Sequence, residues 1–208
     1  MPNTLQSPPQ QVQNGVSDDL LITAHAAMLA GRHFNQQASN LAKQGYMGAY
    51  PSSLGQEACQ VAAALALEPA DWLFPTYRDS VAVMSRGIDL TEVLSPFHGS
   101  SHCGYAPTKT HTAPEATPLA THTAHAVGLA MAAKFAGDST VALAMCGDGS
   151  TSEGDFHEAL NLAAVFEAPV VFLVQNNGYA ISTPVSRQMR AASIAAKGEG
   201  YGIPAYRV

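Results

Sequence analysis

Two apolar runs, TVALAMC at 140–146 and PVVFLVQ at 169–175, restrict the possible folds of this chain more than any other feature. Both are of strand type, uninterrupted by polar residues, as strands buried on both faces are. The stretch between them, Glu153 to Phe166, is patterned as an amphipathic helix. Doubly buried strands joined by one helix run parallel, with a right-handed crossover. The expected fold class is therefore α/β, a parallel sheet covered on both faces. Ser152, three residues before Asp155, is a candidate capping pair at the start of the helix.

The rest of the chain is read around this unit. Residues 1–16, rich in Pro, Gln, Asn and Ser, are expected to be a disordered arm, and 17–208 to form one domain. Leu21, Ala24, Met28 and Leu29 recur at helical spacing, and Ser17 with Asp18 and Asp19 caps a long helix ending near Lys43. A second, alanine-rich helix is expected from about Gln56 to Leu67. DWLFPTYRDS, from Asp71, passes from a short extended piece into another helical stretch. Residues 96–118 carry Pro96, Pro107, Pro114 and Pro118 without apolar periodicity and are expected to form a long loop. A helix over about 121–136 leads into the first strand. The closing GIPAYRV is expected to begin a third parallel strand, so the chain is expected to stop inside its own domain.

Both strands end at the same edge of the sheet, where open α/β folds bind ligands. The first ends in Gly147-Asp148-Gly149 and the second in Asn176-Asn177-Gly178-Tyr179. The intervening 26 residues, 150–175, are what one helix and one strand occupy. The pattern brings a carboxylate and an amide oxygen together, the hard donors that Mg²⁺ takes alongside phosphate and water. A cation between Asp148 and a diphosphate explains why a phosphate-cradling loop carries a negative charge. Main-chain N–H groups at Gly149 and Ser150 would meet the outer oxygens. A dinucleotide fingerprint is excluded because the glycines fall at 147, 149 and 154, and a Walker loop because no lysine lies between Lys134 and Lys197.

Composition narrows the partners. The 208 residues are 47% hydrophobic and only 12% charged, so much of the surface is expected to face another subunit. A net charge of −6 with scattered basic residues argues against nucleic acid. No apolar run reaches membrane-spanning length, and the start, which lacks a basic stretch followed by an apolar core, is not expected to be a secretory leader. Cys59, Cys103 and Cys146 fit a reducing compartment, and the expected location is cytoplasmic.

The GDG and NN elements resemble the thiamin diphosphate motif. The longer run GDGSTSEGDFHEALNLAAVFEAPVVFLVQNNGYAISTPVSRQ is similar to the alpha subunit of the decarboxylating component of 2-oxo acid dehydrogenases. SLGQEA (53–58), DWLFPTYRD (71–79) and TPLATHTAHAVG (117–128) match the same family in order. The resemblance implies a thiamin diphosphate-binding fold of the diphosphate-binding type, with N-terminal helices and a missing C-terminal part. It implies two alpha and two beta chains, a lipoyl-carrying acyltransferase as partner, and pyruvate or a branched-chain 2-oxo acid as substrate; the reading leans to pyruvate without a physical argument. Asp148, Asn177 and the main-chain oxygen of Tyr179 become the Mg²⁺ ligands. Tyr77 and Arg78 hold the diphosphate, and Thr117, Leu119, Gly149, Ser150 and Gln175 fall at further cofactor-contacting positions. In some members the segment matching Ala116, Pro118, Thr121 and His122 binds potassium, and His122 stands where glutamine is expected.

The resemblance also says what this chain lacks. The activating glutamate belongs to the beta subunit, and a closing loop with a cofactor-contacting histidine would follow Val208. His102, in the segment lining the family's substrate channel, is the candidate for contact with the 2-oxo acid. His98, His102, His111 and Cys103 match no standard zinc set. Two alternatives stand beside this reading: an acetoin dehydrogenase alpha subunit, and a truncated, non-catalytic chain that only binds a partner.

Overall fold

The structure is a computed structural model that describes residues 15–208. Helix α1, Asp18–Lys43, begins where Ser17 accepts the Leu20 N–H on its hydroxyl at 3.3 Å, a cap worth about 1 kcal/mol. Gly31 of α1 lies against Val81, whose Cγ1 would be 2.7 Å from a Cβ built there, so the glycine lets two helices approach. Helix α2 spans Glu57–Leu65, strand β1 Trp72–Phe74 and helix α3 Ser80–Ser85. Short helices α4 (Leu90–Leu94) and α5 (Pro107–Thr110) precede helix α6, Thr121–Ala136. Strand β2, Ala142–Gly147, and strand β3, Val170–Gln175, flank helix α7, Gly154–Phe166.

The three strands form one parallel sheet in the order β1-β2-β3. The central strand explains the layering. Ala142, Ala144 and Cys146 face α6 and α7, while Leu143 and Met145 face α2 and α3. The alanines of β2 meet Ala126 and Ala130 of α6, all fully buried. Small side chains at this contact let the helix sit close to the sheet. Phe156, Leu160 and Ala159 of α7 fill the remaining space beside Cys146 and Val127.

Three expectations change on the structure. The third strand is β1, not the C-terminus: residues 203–208 form no strand, and Ile203 packs instead against Val127, Ala159 and Ala163. Residues 96–118 are not only loop: they hold α5, and Thr112 bridges Leu73 and Ala116 bridges Thr76 in parallel register along the free side of β1 and the turn after it. Ser152 and Asp155 do not cap α7: Ser152 Oγ donates to Gln188 at 3.3 Å and Asp155 accepts from Thr121 at 3.1 Å. Beyond β3 the chain builds a small antiparallel pair, β4 (Tyr179–Ala180) and β5 (Thr183–Pro184), then α8 (Val185–Gln188) and α9 (Ala195–Gly200). The expected N-terminal arm lies, up to residue 14, outside the described residues.

Candidate functional site at the sheet edge

In the β2–β3 register Gly147 pairs with Gln175, so Asp148 and Asn176 leave the sheet side by side. Asp148 opens a 3₁₀ turn, Asp148–Ser152, and is only 2% exposed. Its Oδ2 accepts from Gln188 Nε2 at 2.9 Å, and its carbonyl accepts from Thr151 Oγ1 at 2.8 Å. Among the described residues no donor meets Oδ1. Gly149 leaves no room for a side chain, because a Cβ there would stand 2.7 Å from the Ala180 Cβ of β4. Ser150 is buried, and its hydroxyl has no hydrogen-bond partner.

On the β3 side two consecutive side-chain turns shape the chain. Asn176 Oδ1 accepts from Gly178 N at 3.0 Å, and Asn177 Oδ1 accepts from Tyr179 N at 3.1 Å. Gly178, at φ 88, supplies the left-handed residue this bend needs. The main chain of Tyr179 then enters β4 while its ring points into solvent.

The third part of the site is the turn after β1. Thr76 donates its N–H and its hydroxyl to Asp79 Oδ2, both at 2.8 Å, which fixes the Tyr77-Arg78 bend between them. Arg78 donates to the Ser52 carbonyl at 2.7 Å and lies 5.8 Å from the Tyr77 ring centroid. Asp79 is completely buried. Burial pushes its carboxyl up, and hydrogen bonds from Thr76 and Gln175 hold it down. Main-chain bonds from Tyr77 N to Ala116 O and from Ala116 N to Pro75 O, both 3.0 Å, bring the exposed Thr117 and Leu119 beside this turn.

Several expected residues therefore converge: Asp148, Gly149, Ser150, Asn177 and Tyr179 at one strand edge, with Tyr77, Arg78, Thr117 and Leu119 on the adjoining turn. Gln175 sits among them, but its amide is engaged inward, donating to Asp79 Oδ1 at 2.6 Å and accepting from Gln60 at 3.3 Å. His102 stands apart. It is exposed, its Nδ1 accepts from Gly104 N at 3.1 Å, and it makes no hydrogen bond to the other site residues. His122 is buried with Nε2 at 2.6 Å from the Met145 carbonyl, and burial depresses its basicity. Its Nε2–H therefore donates, leaving Nδ1 a buried acceptor without a partner. Among the described residues no three His, Cys, Asp or Glu side chains cluster as a metal site.

The sequence did not single out Asp79, Gln60, Gln188 or Lys197 as site residues. Lys197 of α9 donates to the Thr151 carbonyl and, at 2.9 Å, to the Thr151 hydroxyl, placing an ammonium against the Asp148 turn. Only the basic type of Lys197 could have flagged it in advance, because the contact spans 46 residues.

Comparison with known proteins decides the family. The dehydrogenase E1 component family matches residues 25–208. This chain belongs to that family. Among its relatives, the 3-methyl-2-oxobutanoate dehydrogenase subunit alpha of Mycobacterium tuberculosis (strain ATCC 25618 / H37Rv) is 47% identical over 191 residues. That alignment covers 92% of this chain and 52% of the relative. The pyruvate dehydrogenase E1 component subunit alpha of Staphylococcus aureus (strain N315) is 36% identical, over 93% of this chain and 52% of its own length. The mitochondrial 2-oxoisovalerate dehydrogenase subunit alpha 2 of Arabidopsis thaliana is 37% identical, over 93% and 43% respectively. The chain thus spans about half the length of the curated relatives it matches.

Proposed function

We propose that residues 17–208 are the diphosphate-binding part of an E1 alpha subunit, holding thiamin diphosphate through Mg²⁺ at the edge of the parallel sheet. The observation that carries the reading is the placement of Asp148 and the Asn177 turn at paired strand ends, around a glycine that admits no side chain. Two features of the Asp148 turn support the fit. Asp148 Oδ1 meets no donor among the described residues, since Gln188 engages only Oδ2, and the Ser150 hydroxyl is buried without a partner. A buried polar group in that state is stabilised by a ligand. Asp148, Asn177 and the Tyr179 carbonyl form a hard oxygen donor set of the kind Mg²⁺ prefers.

In this reading Asp148 and Asn177 hold the cation, and Gly149 and Ser150 present N–H groups to the diphosphate. Arg78 offers charge-assisted hydrogen bonds to the same group, and Lys197 adds positive charge to the loop. Tyr77, Thr117 and Leu119 border the cofactor. The bound cofactor supplies an electron sink for decarboxylation of a 2-oxo acid, and the protein supplies orientation and electrostatics.

Activity requires a beta chain, in an assembly of two alpha and two beta chains, and a lipoyl-carrying acyltransferase that takes the acyl group. A branched-chain 2-oxo acid is the favoured substrate, because identity to the M. tuberculosis relative so named exceeds that to the pyruvate dehydrogenase subunit. The free thiols of Cys59, Cys103 and Cys146 support a reducing, cytoplasmic location. No helix among the described residues is long and apolar enough to cross a membrane. Calorimetric titration of thiamin diphosphate into the chain tests the site. Binding with Mg²⁺ that vanishes in EDTA supports it, and absence of binding under both conditions overturns it.

A further inference from the structure

We propose that Asp79 and Gln175 form a buried latch that sets the distance between the two halves of the site, so that both act by positioning. The argument rests on which segments meet at one carboxylate. Asp79 Oδ2 takes both donors of Thr76 and so fixes the bend that carries Tyr77 and Arg78. Asp79 Oδ1 takes Gln175 Nε2 at 2.6 Å, and Gln175 directly precedes Asn176 and Asn177. Gln60 of α2 closes the group, its Nε2 lying 3.0 Å from the Arg78 carbonyl, 3.1 Å from Asp79 Oδ1 and 3.3 Å from Gln175 Oε1.

All three side chains are buried, Asp79 and Gln60 completely. An ionised carboxylate in such a place is retained only when its oxygens are met by donors, and here four donors meet it. Breaking one of those contacts leaves a charged acceptor short inside the protein, so the latch resists stretching. The β1 turn and the β3 terminus are far apart in sequence, the latch partners being separated by 96 positions. Among the described residues this is the side-chain link that joins them directly. Gln175, with both ends of its amide engaged, is a positioning residue and makes no direct contact with the cofactor. The inference rests on the proposed cofactor site for its purpose, but the latch itself is a property of the unliganded chain.

Charge exchange across the pair tests it. In Asp79→Asn the amide oxygen still accepts from Thr76, but the new Nδ2 faces the N–H donors of Gln175 and Gln60. Adding Gln175→Glu returns the bond between positions 79 and 175 with its direction reversed, leaves the Gln60 bond to position 175 in place and keeps the net charge, while the Gln60 contact to position 79 stays lost. Hydrogen exchange of the unliganded chain, followed on peptides covering 76–79 and 175–180, reads the latch without cofactor. We expect Asp79→Asn to accelerate exchange in both segments by on the order of tenfold or more, and the double variant to return toward the parent. If the single variant does not fold, recovery of a folded protein in the double variant carries the same meaning.

Unchanged exchange in Asp79→Asn, absence of rescue, or failure of both variants to fold would overturn the latch. Titration with thiamin diphosphate and Mg²⁺ then separates the two readings. Weaker binding in Asp79→Asn, restored by the swap, supports both. A parent that binds nothing overturns the cofactor reading, while the exchange data still decide the latch.

Discussion

Gln188 Nε2 donates to Asp148 Oδ2 at 2.9 Å and to the Thr183 carbonyl at 3.1 Å, while its Oε1 accepts from Ser152 at 3.3 Å. One side chain from α8 therefore clamps the β4–β5 pair onto the turn that begins at Asp148. Replacing Gln188 with Ala removes all three bonds and leaves the buried Asp148 carboxylate without its donor. The expected loss is about 1–3 kcal/mol of stability, read as a lower urea midpoint at an unchanged slope. A midpoint equal to that of the parent would mean the clamp contributes nothing.

Gly149 and Ala180 make the second contact between these elements. Gly149→Ala places a methyl 2.7 Å from the Ala180 Cβ, and backbone must move to relieve it. Overpacking of this kind costs about 1–3 kcal/mol. Ala180→Gly removes the opposing methyl, so the double variant is expected to be more stable than the sum of the single changes predicts. A double-mutant cycle with no coupling would show that the hairpin already moves freely away from the turn.

The Glu115 carboxyl gives the stability a pH dependence. Burial raises it from its ordinary 4.5 to about 8, with the Ser80 hydroxyl opposing and nearby Asp79 reinforcing. Its Oε2 is buried without a partner. The native chain therefore keeps a proton that the unfolded chain has released, and stability falls as pH rises from 4.5 toward 8. His122 is depressed and works oppositely, but above about pH 6.5 it is neutral in both states. Between about pH 6.5 and 8 the parent is expected to lose stability relative to Glu115→Gln, by up to about 1.4 kcal/mol per pH unit. Parallel curves for the two proteins would place the proton elsewhere.

These contacts mark the boundary of what the sequence conveys. The β2-α7-β3 unit is legible because uninterrupted apolar runs and one amphipathic helix leave little choice of arrangement. Asp148 and Asn177 are legible for the same reason: each follows directly on a strand whose direction the pattern sets. Strand β1 is legible only as a short extended piece: three residues carry no period, and it is the pairing of Trp72–Phe74 with Ala142–Ala144 that makes it a strand of this sheet. The closing segment misleads in the opposite way. GIPAYRV has strand-like residues, yet in the structure Ile203 is spent on the α6–α7 core. The group formed by Gln60, Asp79 and Gln175 draws on three separate segments, and no local pattern announces a contact of that range.

The consecutive asparagines supply an internal control for the metal assignment. Asn176 and Asn177 each accept a main-chain N–H two residues on, so replacing either with Ala removes one local turn at similar structural cost. Only Asn177 is assigned to the cation. Asn177→Ala and Asp148→Ala are therefore expected to abolish Mg²⁺-dependent binding of thiamin diphosphate, whereas Asn176→Ala retains it within a few-fold. Circular dichroism should stay close to the parent in both asparagine variants, because Asn176 and Asn177 are exposed. Asp148→Ala additionally strands Gln188, so its unfolding midpoint should fall by an amount comparable to that of Gln188→Ala. Equal loss of binding in the two asparagine variants would assign the effect to the bend itself and remove Asn177 from the ligand set.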